Sequence, residues 1–173
     1  MMDFWKCVAY LVLIGTLAHF AGLMLSHHHF AAHRAPWKSA SWEKEGRFWD
    51  RTLSVRRWMN LVPDMSRIMP DMVPKRIIGV ATPKQVESLI RETCVAELIH
   101  WLLFALGFEC VFIWDGVGGW IISLLFSVGN LPFIVIQRYN RPRLVRLYAW
   151  LVARERRGVD VPEGAAPQEV GEA

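Results

Sequence analysis

The feature that most constrains this chain is a set of apolar stretches long enough to cross a lipid bilayer. The hydrocarbon core is about 30 Å thick, and a helix crosses it with about 20 predominantly apolar residues. Three such stretches occupy residues 7–25, 95–114 and 116–137. The chain is therefore predicted to be an all-α integral membrane protein with three transmembrane helices.

The distribution of charge predicts how these helices are oriented. Only Asp115 separates the second stretch from the third, and glycines follow it, which indicates a tight helical hairpin. Twelve Lys and Arg lie in residues 26–92, seven lie from residue 138 onward, and the turn at Asp115 has none. Because positively charged loops stay in the cytoplasm, we expect both flanking segments there, and the N-terminus outside the cell membrane.

Residues 1–25 are predicted to form a retained membrane anchor. Lys6 before the apolar run also fits a secretory signal peptide, but no convincing small-residue cleavage site precedes the histidines at positions 27–29. Cleavage would leave the hairpin at residues 95–137 unchanged.

The remaining segments are predicted to form amphipathic helices at the membrane surface. Residues 26–94 mix tryptophans with alternating charges, and residues 138–157 alternate apolar side chains with arginines at helical spacing. Thr82, Pro83 and Gln85 have the pattern of a helix start, and this helix is expected to continue into the second span. Pro142 is expected to end the third helix, and residues 158–173 to form a frayed tail.

Composition excludes several other classes of protein. With 53% hydrophobic and 21% charged residues, the chain is not a disordered tail. A positive mean hydropathy beside an isoelectric point of about 9.2 is unusual for a soluble enzyme. The three cysteines lack the spacing of a zinc site or a disulfide framework, and no nucleic-acid partner is expected.

Glu97 and His100 are the strongest candidates for chemistry. They lie about one turn inside the second span, three residues apart, and so share a face of its helix. Ionisable side chains in a spanning helix are costly and by default indicate a functional site. The pair suits general-base catalysis, in which the imidazole takes a proton from a hydroxyl and the carboxylate orients the ring. The alternative is a structural polar pair near the cytoplasmic interface.

The same two residues also belong to a metal-ligand motif. Glu-x-x-His binds a di-metal centre when it occurs twice in a bundle, and it occurs once here. A metal would therefore need further ligands from Glu92, Glu45 or the histidines at positions 27–29. We expect neither a metal nor a cofactor.

Many hydrogen-bond donors lie close together at the end of the third apolar stretch. This group comprises Gln137, Arg138, Tyr139, Asn140, Arg141 and Arg143. By topology it emerges on the same side of the membrane as Glu97, and arginines beside amides bind phosphate, carboxylate or sugar hydroxyls. A positive-inside anchor is the alternative, but it would not need the uncharged polar side chains. Within the span, Ser123, Ser127, Asn130 and Gln137 lie roughly on one face, which together with Pro132 predicts a helix-packing seam with a proline kink.

Four blocks of the sequence resemble one family of membrane enzymes. They are WEKEGRFW at 42–49, VRRW at 55–58, ET and AELIHW within 92–101, and NLP and IQRYNRPRL within 130–144. Together they cover roughly residues 40–145 and resemble the acyltransferases typified by glycosyl-4,4'-diaponeurosporenoate acyltransferase. The resemblance implies transfer of a fatty acyl group to the glucose 6-hydroxyl of a glycosylated carotenoid acid. A related glycolipid is the alternative acceptor.

The resemblance brings no catalytic residues with it, so the roles are our own hypotheses. His100 is the predicted general base and Glu97 its orienting partner. No Gly-x-Ser-x-Gly elbow or Cys–His pairing indicates an acyl-enzyme, so direct attack by the acceptor hydroxyl is favoured. The donor is expected to be acyl-CoA or an acyl carrier protein, bound by the 137–143 group with Arg56, Arg57 and Trp58.

The predicted site lies at the cytoplasmic face, where a lipid-soluble acceptor meets a water-borne donor. Membrane lipids are expected partners, and three spans enclose so little volume that a homodimer is plausible. Two other functions stay open. One is a non-enzymatic protein that binds anionic lipid through the same arginines, and the other is a metal-dependent membrane hydrolase or desaturase.

Overall fold

The fold is helical throughout the part of the chain that is described. The computed structural model describes residues 1–25, 30, 32–62 and 82–157, and these contain helices and turns but no strand. Three helices are long and apolar enough to span a membrane. The predicted all-α, multi-pass membrane fold is therefore confirmed. The predictions for the histidines at positions 27–29 and for the tail at 158–173 fall outside the described residues.

Long and short helices alternate along the chain. The long helices are α1 (Met2–Met24), α4 (Pro83–Leu106) and α6 (Val117–Arg156). The short α-helices are α2 (Arg47–Leu53), α3 (Val55–Trp58) and α5 (Cys110–Ile113), and 3-10 helices cover Ser41–Gly46, Met59–Leu61 and Gly107–Glu109.

Helix α4 begins where the sequence predicts. The backbone N–H of Gln85 donates to Thr82 Oγ1 at 3.3 Å, and the backbone N–H of Thr82 donates to Gln85 Oε1 at 3.0 Å. With Pro83 at the first helical position, this capping box satisfies N–H groups that a helix start leaves unpaired. The helix continues into the second apolar stretch, as predicted.

Helices α4 and α6 form the predicted hairpin. Gly116 in the connecting turn has a φ of +91°, a conformation that favours glycine. Further along, Ser127 Oγ donates to the carbonyl of Phe104 at 2.8 Å. A Cβ on Gly107 would lie 2.5 Å from Ser127 Oγ, so the helices approach closely there. Ser123 and Ser127 are fully buried, which confirms the predicted packing seam.

The prediction that Pro142 ends the third helix is wrong, because α6 runs unbroken from Val117 to Arg156. Proline removes one helical N–H, and with it the usual donor to the carbonyl of Arg138. Gly46 lies against this irregularity, since a Cβ there would be 3.0 Å from the Tyr139 carbonyl and 3.5 Å from that of Arg138. The residues predicted as a separate surface helix therefore continue α6, whose 40 residues extend about 60 Å.

Helix α1 packs along the hairpin, from α5 near the α5–α6 turn to the part of α4 around Ile99, which a Cβ on Gly22 would meet at 3.8 Å. The hydroxyl of Tyr10 donates to the carbonyl of Leu106 at 3.1 Å, and Cys7 is buried beside the backbone of Cys110. Most of its other apolar side chains are exposed, as expected for a helix that contacts lipid.

The topology can be tested by cysteine labelling, because the three native cysteines are buried. Asp115, Arg47 and Val145 are all exposed. We expect a membrane-impermeant maleimide to label Asp115→Cys from outside intact cells, and Arg47→Cys and Val145→Cys only after the membrane is opened. Labelling of Arg47→Cys and Val145→Cys from opposite sides would contradict a shared cytoplasmic site.

Candidate active site

A buried carboxylate joins α4 to α6. Glu97 is 1% exposed, and each of its two oxygens accepts a hydrogen bond from an arginine on α6. Arg138 Nε donates to Oε1 at 2.6 Å, and Arg141 Nη2 donates to Oε2 at 2.6 Å. Such short contacts are typical of charge-assisted hydrogen bonds. The structure thus brings together three of the predicted site residues.

The guanidinium of Arg141 is almost entirely committed to the protein. Besides Glu97, it donates from Nε to the hydroxyl of Thr93, from Nη2 to the Thr93 carbonyl and from Nη1 to the carbonyl of Trp37, each at 2.8 Å. The side chain is 3% exposed. This arrangement favours a structural role for Arg141, and its predicted role in substrate binding stays a prediction.

Arg138 has a second carboxylate partner that the sequence analysis did not identify. Its Nη1 donates to Glu43 Oε2 at 3.2 Å, and its Nη2 donates to the carbonyl of Pro36 at 3.0 Å. Glu43 is itself 1% exposed and also accepts from the indole of Trp49 at 3.0 Å. Glu43 belongs to the block at 42–49 that carries the family resemblance, and this was the available signal. It was missed because the charged neighbours Lys44 and Glu45 are typical of a solvent-exposed segment.

A left-handed turn directs Glu43 inward. Lys44, Glu45 and Gly46 have φ values of +47°, +57° and +89° in succession. For residues other than glycine, such a conformation costs of order 1 kcal/mol or more and persists only where surrounding contacts enforce it. Arg146 Nη1 supplies one such contact at 2.6 Å from Glu45 Oε2.

His100 is oriented by Asn130 rather than by the carboxylate predicted for that task. Its Nδ1 lies 2.9 Å from Asn130 Oδ1, and its ring stacks on Phe133 with centroids 4.5 Å apart. Both oxygens of Glu97 are instead bound by the α6 arginines. Glu97 and His100 share a face of α4, as their spacing predicts, but each contacts a different part of α6. Glu97 binds the two arginines and His100 contacts Asn130.

The hydrogen bonds of Asn130 determine the tautomer of His100. Asn130 Nδ2 donates to the carbonyl of Phe126 at 2.9 Å, and a carbonyl can only accept. The amide oxygen of Asn130 therefore faces the imidazole, so neutral His100 donates from Nδ1–H. Its basic lone pair then lies on Nε2, as a general base requires.

The other predicted residues lie near this centre or on the adjoining surface. Gln137 and Tyr139 are buried, Asn140 is half-buried, and the guanidinium carbon of Arg143 lies 3.5 Å from the centroid of the Tyr139 ring. On α3, Arg56 and Arg57 are exposed, and the indole of Trp58 donates to the carbonyl of Leu53 at 2.8 Å. The predicted arginine group is thus divided between a buried network and a surface.

The described residues contain no group of three His, Cys, Asp or Glu side chains suited to a metal. The histidines at positions 27–29, which the metal hypothesis needed, fall outside them. Within the described site, arginines already neutralise the carboxylate of Glu97.

Comparison with known proteins identifies the family. Residues 33–150 match the glycosyl-4,4'-diaponeurosporenoate acyltransferase family. The chain belongs to this family. A relative of that name from Staphylococcus aureus strain N315 is 32% identical over 126 residues, covering 69% of this chain and 72% of the relative. Another, from strain bovine RF122 / ET3-1, is 29% identical over 157 residues, covering 87% and 91%. No solved structure gives a significant match. The protein is thus an acyltransferase, as the resemblance implied.

We expect Glu97→Gln to destabilise this acyltransferase by about 3 kcal/mol or more, because it leaves buried arginine charge uncompensated. The measurement is denaturant unfolding of the purified protein in detergent. Glu87→Gln is the matched control on the same helix, since Glu87 is 46% exposed and pairs with Arg91 at 3.4 Å. It should cost less than about 1 kcal/mol. Equal stability of the two variants would contradict a structural role for the Glu97 network.

Proposed function

We propose that this acyltransferase esterifies the 6-hydroxyl of a glucose carried by a carotenoid acid or a related glycolipid. The names of its relatives support a glycosylated acceptor. The three apolar helices make this a membrane protein, so it has access to an acceptor dissolved in the lipid. The observation that carries the chemistry is the Asn130–His100 hydrogen bond, which leaves a basic Nε2 on a helix in contact with that membrane.

In the proposed reaction, Nε2 of His100 removes the proton of the sugar hydroxyl as its oxygen attacks the acyl carbonyl carbon. Collapse of the tetrahedral intermediate breaks the bond between the acyl group and its carrier, and the imidazolium returns the proton to the departing carrier. The products are the sugar ester and the free carrier. Asn130 accepts the Nδ1–H bond throughout and so keeps the ring in the required tautomer.

Direct transfer is preferred to an acyl-enzyme because the cysteine closest to His100 in sequence is poorly placed. Cys94 is fully buried, and its thiol donates to the carbonyl of Ile90 at 3.5 Å. A nucleophilic cysteine instead needs an accessible thiolate beside a base.

We assign different roles to the two arginines of the network. Arg138 is 19% exposed, and the described contacts leave some of its five N–H donors for a ligand. In our proposal it polarises the acyl carbonyl or binds a sugar oxygen with Asn140. Arg141 holds Arg138 in place through their shared partner Glu97. The site would lie at the cytoplasmic face of the cell membrane.

The acceptor class is tested by lipid profiling. Cells that make a glycosylated carotenoid acid, with and without this chain, should differ by a carotenoid ester whose mass exceeds that of the glycoside by a fatty acyl group. An unchanged carotenoid profile together with a new ester of another glycolipid would retain the acyltransferase and overturn the carotenoid acceptor.

His100→Ala should reduce acyl transfer by about 10²–10⁴-fold, the usual contribution of a positioned general base, without loss of inserted protein. The rate is measured by mass spectrometry of the ester formed by purified protein in lipid discs. Asn130→Ala should retain the base and lower the rate less. His33→Ala, which changes an exposed histidine, is the matched control and should leave the rate unchanged. Wild-type turnover in His100→Ala would exclude the proposed base.

A further inference from the structure

A second group of arginines lies on the surface beyond the buried network. Arg143 and Arg146 lie on α6, and Arg56 lies on α3. The backbone N–H of Arg56 donates to Asp50 Oδ1 at 3.1 Å. We call Arg56, Arg143 and Arg146 the outer arginine cluster. Arg56, Arg146 and Asp50 all lie within electrostatic range of Arg143. Three separate segments of chain thus converge on one place.

The outer arginine cluster brings like charges close together. Among the described contacts, Arg146 pairs with Glu45, and this pair is more than half exposed to solvent, while Asp50 lies within electrostatic range of Arg143. Arg143 has two like-charged neighbours, in contrast to Arg138 and Arg141, which bind Glu97 directly. An anion would relieve this repulsion and accept several charge-assisted hydrogen bonds.

Arg143 is also held in a fixed position. Its guanidinium carbon lies over the ring of Tyr139, 3.5 Å from the ring centroid, and Nη1 donates to the Tyr139 carbonyl at 2.6 Å. Tyr139 is itself buried against Val55 at the start of α3. A preorganised guanidinium loses little entropy when it binds a phosphate, which distinguishes it from an ordinary surface arginine.

The cluster stands at a defined distance from the proposed base. His100 stacks on Phe133, and Arg143 and Arg146 follow Phe133 on the same helix. At a rise of 1.5 Å per residue, they lie about 15–20 Å further along its axis. An extended chain advances about 1.2 Å per bond, so roughly a dozen or more bonds are needed to join the two places.

We infer that the outer arginine cluster binds the phosphate of an acyl thioester carried on a phosphopantetheine arm. This inference rests on the proposed function, because the thioester must reach His100. Such an arm places more than about a dozen bonds between its phosphate and its sulfur, which matches the separation. A phospholipid donor has only about five bonds between its phosphorus and an ester carbonyl, so one phospholipid does not reach both places.

The test compares two donors that differ in their phosphate. One is an acyl-CoA, and the other is the same acyl group on N-acetylcysteamine, a thioester without phosphate. Purified full-length protein in lipid discs should prefer the acyl-CoA. Arg143→Gln and Arg56→Gln should each lower kcat/KM for acyl-CoA by about tenfold or more, the factor expected for one charge-assisted hydrogen bond. Both variants should use the N-acetylcysteamine thioester as well as the wild type does.

The phosphate-free donor also serves as the folding control, because a misfolded variant would lose activity with both donors. Arg154→Gln removes the same charge from α6 outside the cluster and should leave both activities unchanged. Calorimetric titration with CoA itself should show weaker binding in Arg143→Gln than in Arg154→Gln. An acyl carrier protein donor with the same dependence on Arg143 would support the inference and identify the carrier.

Failure of the inference is distinguishable from failure of the proposed function. If Arg143→Gln and Arg56→Gln use acyl-CoA as well as the wild type does, or if only a phospholipid donates, the phosphate site is wrong while acyl transfer stands. Equal loss with both thioesters would also overturn it, because the arginines would then act on folding or on chemistry. If no donor acylates the glycosylated acceptor, the proposed function itself fails.

Discussion

The burial of one carboxylate constrains the rest of this structure. Glu97 is 1% exposed on a membrane-spanning helix, where an unpaired charge would cost several kcal/mol in lost hydration. Arg138 and Arg141 together bind both of its oxygens. Because the two arginines stand three residues apart on α6, one carboxylate on α4 sets the relative rotation and depth of the helices. Nη1 of Arg138 then donates to Glu43 and Nη2 to the carbonyl of Pro36, so the same arginine also positions the segment before α2.

This network joins blocks of sequence that lie far apart along the chain. The block at 42–49 supplies Glu43 and the left-handed turn, and the block at 130–144 supplies both arginines and Pro142. They meet where Gly46 lies against the carbonyls of Arg138 and Tyr139, the first of which loses its usual helical donor to Pro142. A Cβ at position 46 would lie tightly against this backbone, 3.0 Å from the Tyr139 carbonyl, and the φ of +89° there favours glycine. The sequence blocks that carry the family resemblance therefore contact each other in the fold, where the left-handed turn at residues 44–46 and helix α6 depend on each other.

Features determined by neighbours in sequence were predictable, whereas partners of buried side chains were not. Apolar length predicted the spans, and the pattern at Thr82 predicted the start of α4, because both depend on adjacent residues. Pro142 predicts a helix end because the sequence does not reveal which segment packs against the helix where proline disturbs it. Asn130 was assigned only to packing, since its contact with His100 joins residues 30 positions apart. The sequence identified His100 as a candidate base. It did not show which residue orients the ring or which nitrogen carries the proton, because both depend on the contact with Asn130.

The order of groups along α6 fits a reaction between a water-borne donor and a lipid-borne acceptor. The arginines that α6 contributes to the outer arginine cluster come last along the helix, and the buried ion network lies before them. Asn130, which contacts His100, lies before that network, in the packing seam with Ser123 and Ser127. In the proposed reaction, phosphate binds at the polar end and the apolar acceptor at the membrane end, with the base between them. A continuous helix holds these places at fixed separations, which a chain broken at Pro142 would not do. The contacts that cover the proline would therefore serve catalysis indirectly, because they keep the donor-binding surface in register with the base.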